Sequence, residues 1–173
     1  MGNIVLCGFM GCGKTTVGRK LATQTGRRFV DMDAYIEEQA GMSVSTIFEQ
    51  FGESDFRSRE REACKALAEQ RHLVIASGGG ALTFPENVEV LAATSCIVLI
   101  SVTPETVLKR LQGDITRPLL ARPDKEQAVQ QLWARRLPLY QAAADMEVNG
   151  ERPAEQVAED IIAAVKTFRR NRG

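Results

Sequence analysis

The segment Gly8-Phe9-Met10-Gly11-Cys12-Gly13-Lys14-Thr15 constrains this chain more than any other. It matches the spacing G-x-x-x-x-G-K-[S/T] in full. Before it, Asn3–Cys7 is a β-branched and apolar run that predicts a short buried strand. After it, Lys14–Gln24 predicts a helix that stops at Gly26. Glycines let the turn aim its N–H groups inward at phosphate oxygens, and the helix adds the positive end of its dipole. Lys14 supplies a mobile cation for the β- and γ-phosphates, and the Thr15 hydroxyl a ligand for Mg²⁺. A chance match arises in roughly half a per cent of shuffles. The expected ligand is therefore Mg-ATP, on the run Gly11, Cys12, Gly13, Lys14, Thr15 and Thr16. Cys12 fills a freely variable position and is read as filler rather than as a reactive thiol.

Further strands are expected at Phe29–Met32, Leu73–Ser77, Ser95–Val102 and, weakly, Met146–Val148. Helices are expected at Ala34–Gln39, Val44–Phe51 with Ser43 as N-cap, Glu53–Arg71 beyond an interruption at Gly52, Pro85–Ala93, Pro104–Leu111, Lys125–Leu137 and Pro153–Arg170. Alternation of strand and helix predicts a three-layer α/β/α sandwich around a five-stranded parallel sheet. The 173 residues suit a single domain, with no repeat or linker to divide them. Gln112–Asp124 has no period, contains Pro118 and Pro123, and is expected as an exposed loop.

Bulk properties narrow the partners. Hydrophobic residues at 44% and charged residues at 25% are ordinary for a globular chain. Zero net charge argues against a nucleic-acid partner, and no apolar run reaches membrane-spanning length. Of the 22 basic residues 16 are Arg, a bias that fits an anionic ligand. Cys7, Cys12, Cys64 and Cys96 show no metal-binding spacing; Cys7 and Cys96 read as core residues of a protein in a reducing cytoplasm. The sole histidine, His72, is expected at the surface, and Trp133 in helix packing.

Ligands of a parallel sheet gather beyond the carboxyl ends of its strands. Asp31 and Asp33 fall there, two apart and so expected to face the same way. One is suited to hold a Mg²⁺ water, the other to accept a proton from an acceptor hydroxyl; Asp33 is also placed to cap a helix. Gly78-Gly79-Gly80 ends the third strand and leaves backbone N–H groups bare. Three arginines stay open on spacing alone. Arg57 has Glu60 one turn later, as a surface pair would; Arg117 lies in the irregular loop; Arg136 precedes Pro138, where it could serve the helix dipole.

Taken in order, Gly8–Thr16, Phe29–Asp33, Ile47-Phe48 through Phe56-Arg57, Ser77–Gly80, Thr116–Leu120 and Arg135–Tyr140 resemble the shikimate kinase family of the nucleoside-monophosphate-kinase-like P-loop proteins. The resemblance runs from about Ile4 to Pro153, nearly the whole chain. It implies ATP-dependent phosphorylation of shikimate by Lys14, Asp33 and Arg117. Arg57 and Arg136 would clamp the shikimate carboxylate, Gly78, Gly79 and Gly80 would line the pocket, and Phe48 and Phe56 would shape its apolar side. Asp33 would hydrogen-bond the hydroxyls, Asp31 would reach Mg²⁺ through water beside Thr15, and Arg110, Arg152 and Pro153 would flank adenine. Arg117 would enter on a mobile lid at 112–124, and the acceptor region would span 33–61. The expected assembly is a monomer. Competing expectations are a related kinase of another polyol acid such as gluconate, a nucleoside monophosphate kinase, and a non-catalytic nucleotide-binding module.

Overall fold

The computed structural model describes residues 2–113 and 120–172. Five strands form one sheet: β1 (Asn3–Cys7), β2 (Arg28–Asp31), β3 (Leu73–Ala76), β4 (Ser95–Ser101) and β5 (Met146–Asn149). Their order is β2-β3-β1-β4-β5, all parallel. The central pair is in register from Asn3↔Ser95 to Cys7↔Leu99. β1 and β3 are buried along their whole length, as continuous apolar runs in a sheet covered on both faces must be.

Seven helices surround the sheet: α1 (Lys14–Thr25), α2 (Met32–Ala40), α3 (Val44–Ala68), α4 (Pro85–Ala92), α5 (Pro104–Arg110), α6 (Lys125–Ala143) and α7 (Ala154–Arg172). A single 3-10 turn, Ala81–Thr83, follows the glycine run. α1 packs on α7 and on β3, while α3 meets α4, and α4 and α6 cover β4. Right-handed crossovers explain the division. The step from β1 out to β2 runs opposite to the later ones, so α1 lies on the other face from α2–α6. The connection that leaves β1 runs to the opposite side from those that leave its neighbours β3 and β4, and the glycine-rich loop leaves β1 at that switch point.

Two local expectations change. α2 begins at Met32, not Ala34, because the Asp31 side chain accepts the Ala34 N–H at 3.0 Å and Met32 is drawn fully into the core. Asp31 is therefore the cap, and Asp33 sits in the first helical turn rather than on a strand. The expected interruption at Gly52 is borne out: its φ 83° and ψ 174° are not helical, so α3 is two helical stretches, 44–51 and 53–68, joined across a kink. α6 continues past Pro138 to Ala143. Pro138 removes the hydrogen bond to Ala134, yet both residues are exposed, so the freed carbonyl faces water and the helix survives. Arg136 consequently lies within the helix, and a purely dipolar role at its end is excluded. Other boundaries fall within a residue or two of expectation, apart from α3, which ends at Ala68 rather than Arg71.

The expected caps and core residues hold. Gly26 closes α1 in the left-handed region at φ 66°, and the Ser43 hydroxyl accepts the Thr46 N–H at 3.1 Å. Cys7 and Cys96 are buried, and burial pushes the Cys7 thiol up to about 12. His72 is exposed, and Trp133 donates its indole N–H to the Val102 carbonyl.

Candidate active site

The loop after β1 turns where only glycine fits. A Cβ on Gly8 would lie 2.6 Å from the Ile100 carbonyl oxygen, and Gly13 caps α1 at φ 97° with no side chain over the helix end. The first N–H groups of α1 have no partners within the helix and face out of its N-terminus. Lys14 folds back across the loop. Its Nζ donates to the Gly8 carbonyl at 2.5 Å and lies 3.4 Å from that of Phe9 and 3.8 Å from Cys12 Sγ. Cys12 is buried beneath it, while Thr15 and Thr16 are exposed at the rim.

On the far side of the loop, Arg110 donates to the Gly11 carbonyl at 3.0 Å and to the Gly150 carbonyl at 2.7 Å. It thereby ties the loop after β1 to the loop after β5, which carries Arg152 and Pro153. Arg152 itself is drawn to Asp160 at 2.7 Å, and both it and Pro153 are exposed. Arg117 and Pro118, with the rest of 114–119, lie outside the described residues.

Next to Lys14, a second cluster is assembled from four elements. α2 supplies Asp33, α3 supplies Arg57 and Glu60, α6 supplies Arg136 and Tyr140, and the turn after β3 supplies Gly78–Gly80. The glycines are glycine for a spatial reason that spacing alone did not reveal. A Cβ on Gly78 would meet Asp33 Oδ1 at 2.8 Å and Glu60 Oε2 at 3.4 Å. One on Gly79 would meet Arg136 Nη1 at 3.1 Å, and one on Gly80 both Arg57 Nη atoms at 2.7 Å. Three bare Cα positions thus seat a carboxylate and two guanidinium groups on one short turn.

Glu60 is not half of a surface pair, as its spacing suggested. Its side chain is 1% exposed, and it accepts a hydrogen bond from Arg57 Nη1 at 2.9 Å. The Arg57 guanidinium also lies against two rings, 5.3 Å from the Phe56 centroid and 5.1 Å from that of Phe84. Phe48 stacks on Phe56 at 4.8 Å and stays partly exposed. Glu60 and Tyr140 are the functional candidates that the sequence reading missed. A signal existed for Glu60: it interrupts the helical stripe Phe56, Cys64, Leu67, which puts a carboxylate on the buried face. Tyr140 was hidden because Pro138 seemed to end its helix.

Two atoms in this cluster are buried without hydrogen-bond partners among the described residues: Asp33 Oδ1 and Arg57 Nε. The carboxylate nearest to Arg57 Nε is that of Glu53, at 3.6 Å. Burial, and then the neighbouring Asp31 carboxylate, hold the Asp33 carboxyl above its ordinary value, against the pull of Lys14. Burial likewise raises Glu60, against Arg57. A buried acceptor and a buried donor left open beside two arginines suit a ligand with both anionic and hydroxyl groups.

The shikimate kinase family model matches residues 10–166. This chain belongs to the shikimate kinase family. A shikimate kinase of Xanthomonas axonopodis pv. citri is 41% identical over 96% of this chain and 94% of its own. Another, of Caldanaerobacter subterraneus subsp. tengcongensis, is 42% identical over 95% and 96%. Among solved structures, shikimate kinase from Acinetobacter baumannii in complex with shikimate superposes with a TM-score of 0.91 at 38% identity, covering 97% of this chain and 94% of that one. A gluconokinase from Sinorhizobium meliloti shares the fold at a TM-score of 0.62 and 16% identity. Family membership makes the chain a P-loop kinase. No helix among the described residues is long and apolar enough to cross a membrane.

Proposed function

We propose that this protein transfers the γ-phosphoryl group of ATP to a hydroxyl of shikimate. The observation that carries the reading is the turn Gly78–Gly80, where two arginines converge with the Asp33 carboxylate, whose Oδ1 is buried. Shikimate presents a carboxylate at one end of a ring of hydroxyls. Arg57 and Arg136 would take the carboxylate, with the open Arg57 Nε available to it. Asp33 would accept a hydroxyl hydrogen bond through its open Oδ1 and take the proton as the oxygen attacks. Its raised affinity for a proton favours that transfer.

Lys14 would exchange the Gly8 carbonyl for phosphate oxygens, while the α1 N-terminus holds the triphosphate. Arg110, with Arg152 and Pro153, would border the base. Mg²⁺ suits the donors present. No cluster of three acidic, cysteine or histidine ligands exists among the described residues, and this cation is usually bound by one or two protein groups plus phosphates and water. Thr15 and Asp31 would hold it, Asp31 through water since its Oδ1 caps α2. Bound there, it would neutralise charge on the transferring group. Arg117, from a lid at 112–124 that closes over the acceptor region 33–61, would add a cation at the same place and exclude water.

The test is a coupled ADP-release assay with shikimate, gluconate and nucleoside monophosphates as acceptors. Turnover that requires shikimate supports the reading. Turnover with gluconate alone moves the chain to another polyol-acid kinase, and nucleotide binding without acceptor turnover makes it a binding module.

A further inference from the structure

Tyr140 is a large side chain fully buried against the acceptor cluster. Its hydroxyl donates to the Gly79 carbonyl. It stands one helical turn after Arg136 on α6, so the two side chains leave the same face of the helix. Arg136 Nη1 in turn lies over the bare Cα of Gly79. Phenol and guanidinium, one turn apart on the helix, thus both meet Gly79 in the turn after β3. Arg57, by contrast, is held by Glu60 and lies against two rings.

We infer that Tyr140 is a positioning residue for the acceptor: its hydroxyl pins the Gly79 carbonyl and so fixes the bare Cα against which Arg136 rests, from where the guanidinium presents its fork to the acceptor carboxylate. The inference rests on the shikimate reading above and adds a determinant to it. A free arginine side chain loses much rotamer freedom when it binds, and pre-orientation removes that cost from the binding step. Burial pushes the phenol up to about 12, so it keeps its proton and its bond to Gly79 through the working pH range.

Tyr140→Phe removes one oxygen and keeps the ring. The decisive experiment is a double-mutant cycle on the full chain, with Tyr140→Phe, Arg136→Ala and both together, read as KM for shikimate and KM for ATP. Tyr140→Phe is expected to raise the shikimate KM about fivefold, as for loss of a hydrogen bond between neutral groups. The ATP KM should move by less than about twofold, and the change should be the same from about pH 6.5 to about pH 9. In the Arg136→Ala background the same substitution should add less than about twofold, because the guanidinium that it positions is gone. Equal factors in both backgrounds, or parallel rises in both KM values, would overturn the inference and leave a packing role. Gly79→Ala, whose methyl would press on Arg136 without touching the phenol, should reproduce the selective rise; an unchanged shikimate KM there would also count against it. Wild-type protein with no shikimate turnover would refute the acceptor assignment itself, and the inference with it.

Discussion

Gly80→Ala is the sharpest perturbation of the acceptor cluster, because it adds one methyl and removes nothing. The new Cβ would lie 2.7 Å from both Nη atoms of Arg57 and 3.0 Å from its Cζ. Ordinary contact begins near 3.4 Å, so the guanidinium must retreat by about 0.7 Å. It cannot slide freely, since it lies against the Phe56 and Phe84 rings and Glu60 holds Nη1 at 2.9 Å. A retreat of that size stretches the hydrogen bond past useful length and swings the fork away from the acceptor. A hydrogen bond to a charged group contributes about 1.5–3 kcal/mol. At about 1.4 kcal/mol per decade, the shikimate KM should rise roughly ten- to a hundredfold. The fold should hold, because the atoms that yield are the end of a side chain. Steady-state kinetics with one substrate varied at a time would read this directly, with a melting curve alongside. Gly41→Ala is the control. It has open space around its Cβ position but φ 68°, so it should cost about 1 kcal/mol of stability and leave both KM values alone. A Gly80→Ala enzyme with an unchanged shikimate KM would refute the placement of Arg57 against this turn.

The remaining expectations follow from other contacts. Asp33 binds its proton more tightly folded than unfolded, so this carboxyl subtracts stability as pH rises through and above the ordinary carboxylate range. Asp33→Asn should therefore melt higher than wild type at about pH 8, lose that gain as pH falls to about 4, and show greatly reduced turnover; a lower melting temperature at about pH 8 would contradict the burial argument. Arg110→Ala should raise the ATP KM roughly three- to tenfold with the shikimate KM unchanged, since Arg110 bridges Gly11 and Gly150 and nothing in the acceptor cluster. Gly18→Ala would put a methyl 2.5 Å from the Phe29 ring with Leu6 behind at 3.3 Å; overpacking of about 1–3 kcal/mol should outweigh the helix gain of about 1 kcal/mol, and calorimetry should show a lower melting temperature at unaltered KM values.

The sheet, its parallel sense and the nucleotide loop were legible because each has a local signature: apolar runs, punctuating glycines and a fixed motif. Local patterns also misled in specific ways. Asp31 and Asp33 looked like strand neighbours, yet capping by Asp31 starts the helix early and turns Asp33 toward Gly78. Pro138 looked like a stop, and only the exposure of Ala134 shows why it is not. The reason for the glycine run could not be read locally, because Asp33, Arg57 and Arg136 reach it from three helices far apart in sequence. Spacing along one helix showed that Arg57 and Glu60 were neighbours; only the packing of α3 against the turn after β3 shows that Glu60 is buried.

The central claim is that the phosphoryl group of ATP goes to shikimate held over Gly78–Gly80. Its most direct measurement is phosphorus NMR of a reaction containing the protein, Mg-ATP and shikimate. The account predicts one new phosphate monoester that grows in step with ADP and does not form when gluconate replaces shikimate. ADP and inorganic phosphate without a monoester, or a monoester formed on gluconate and not on shikimate, would contradict it.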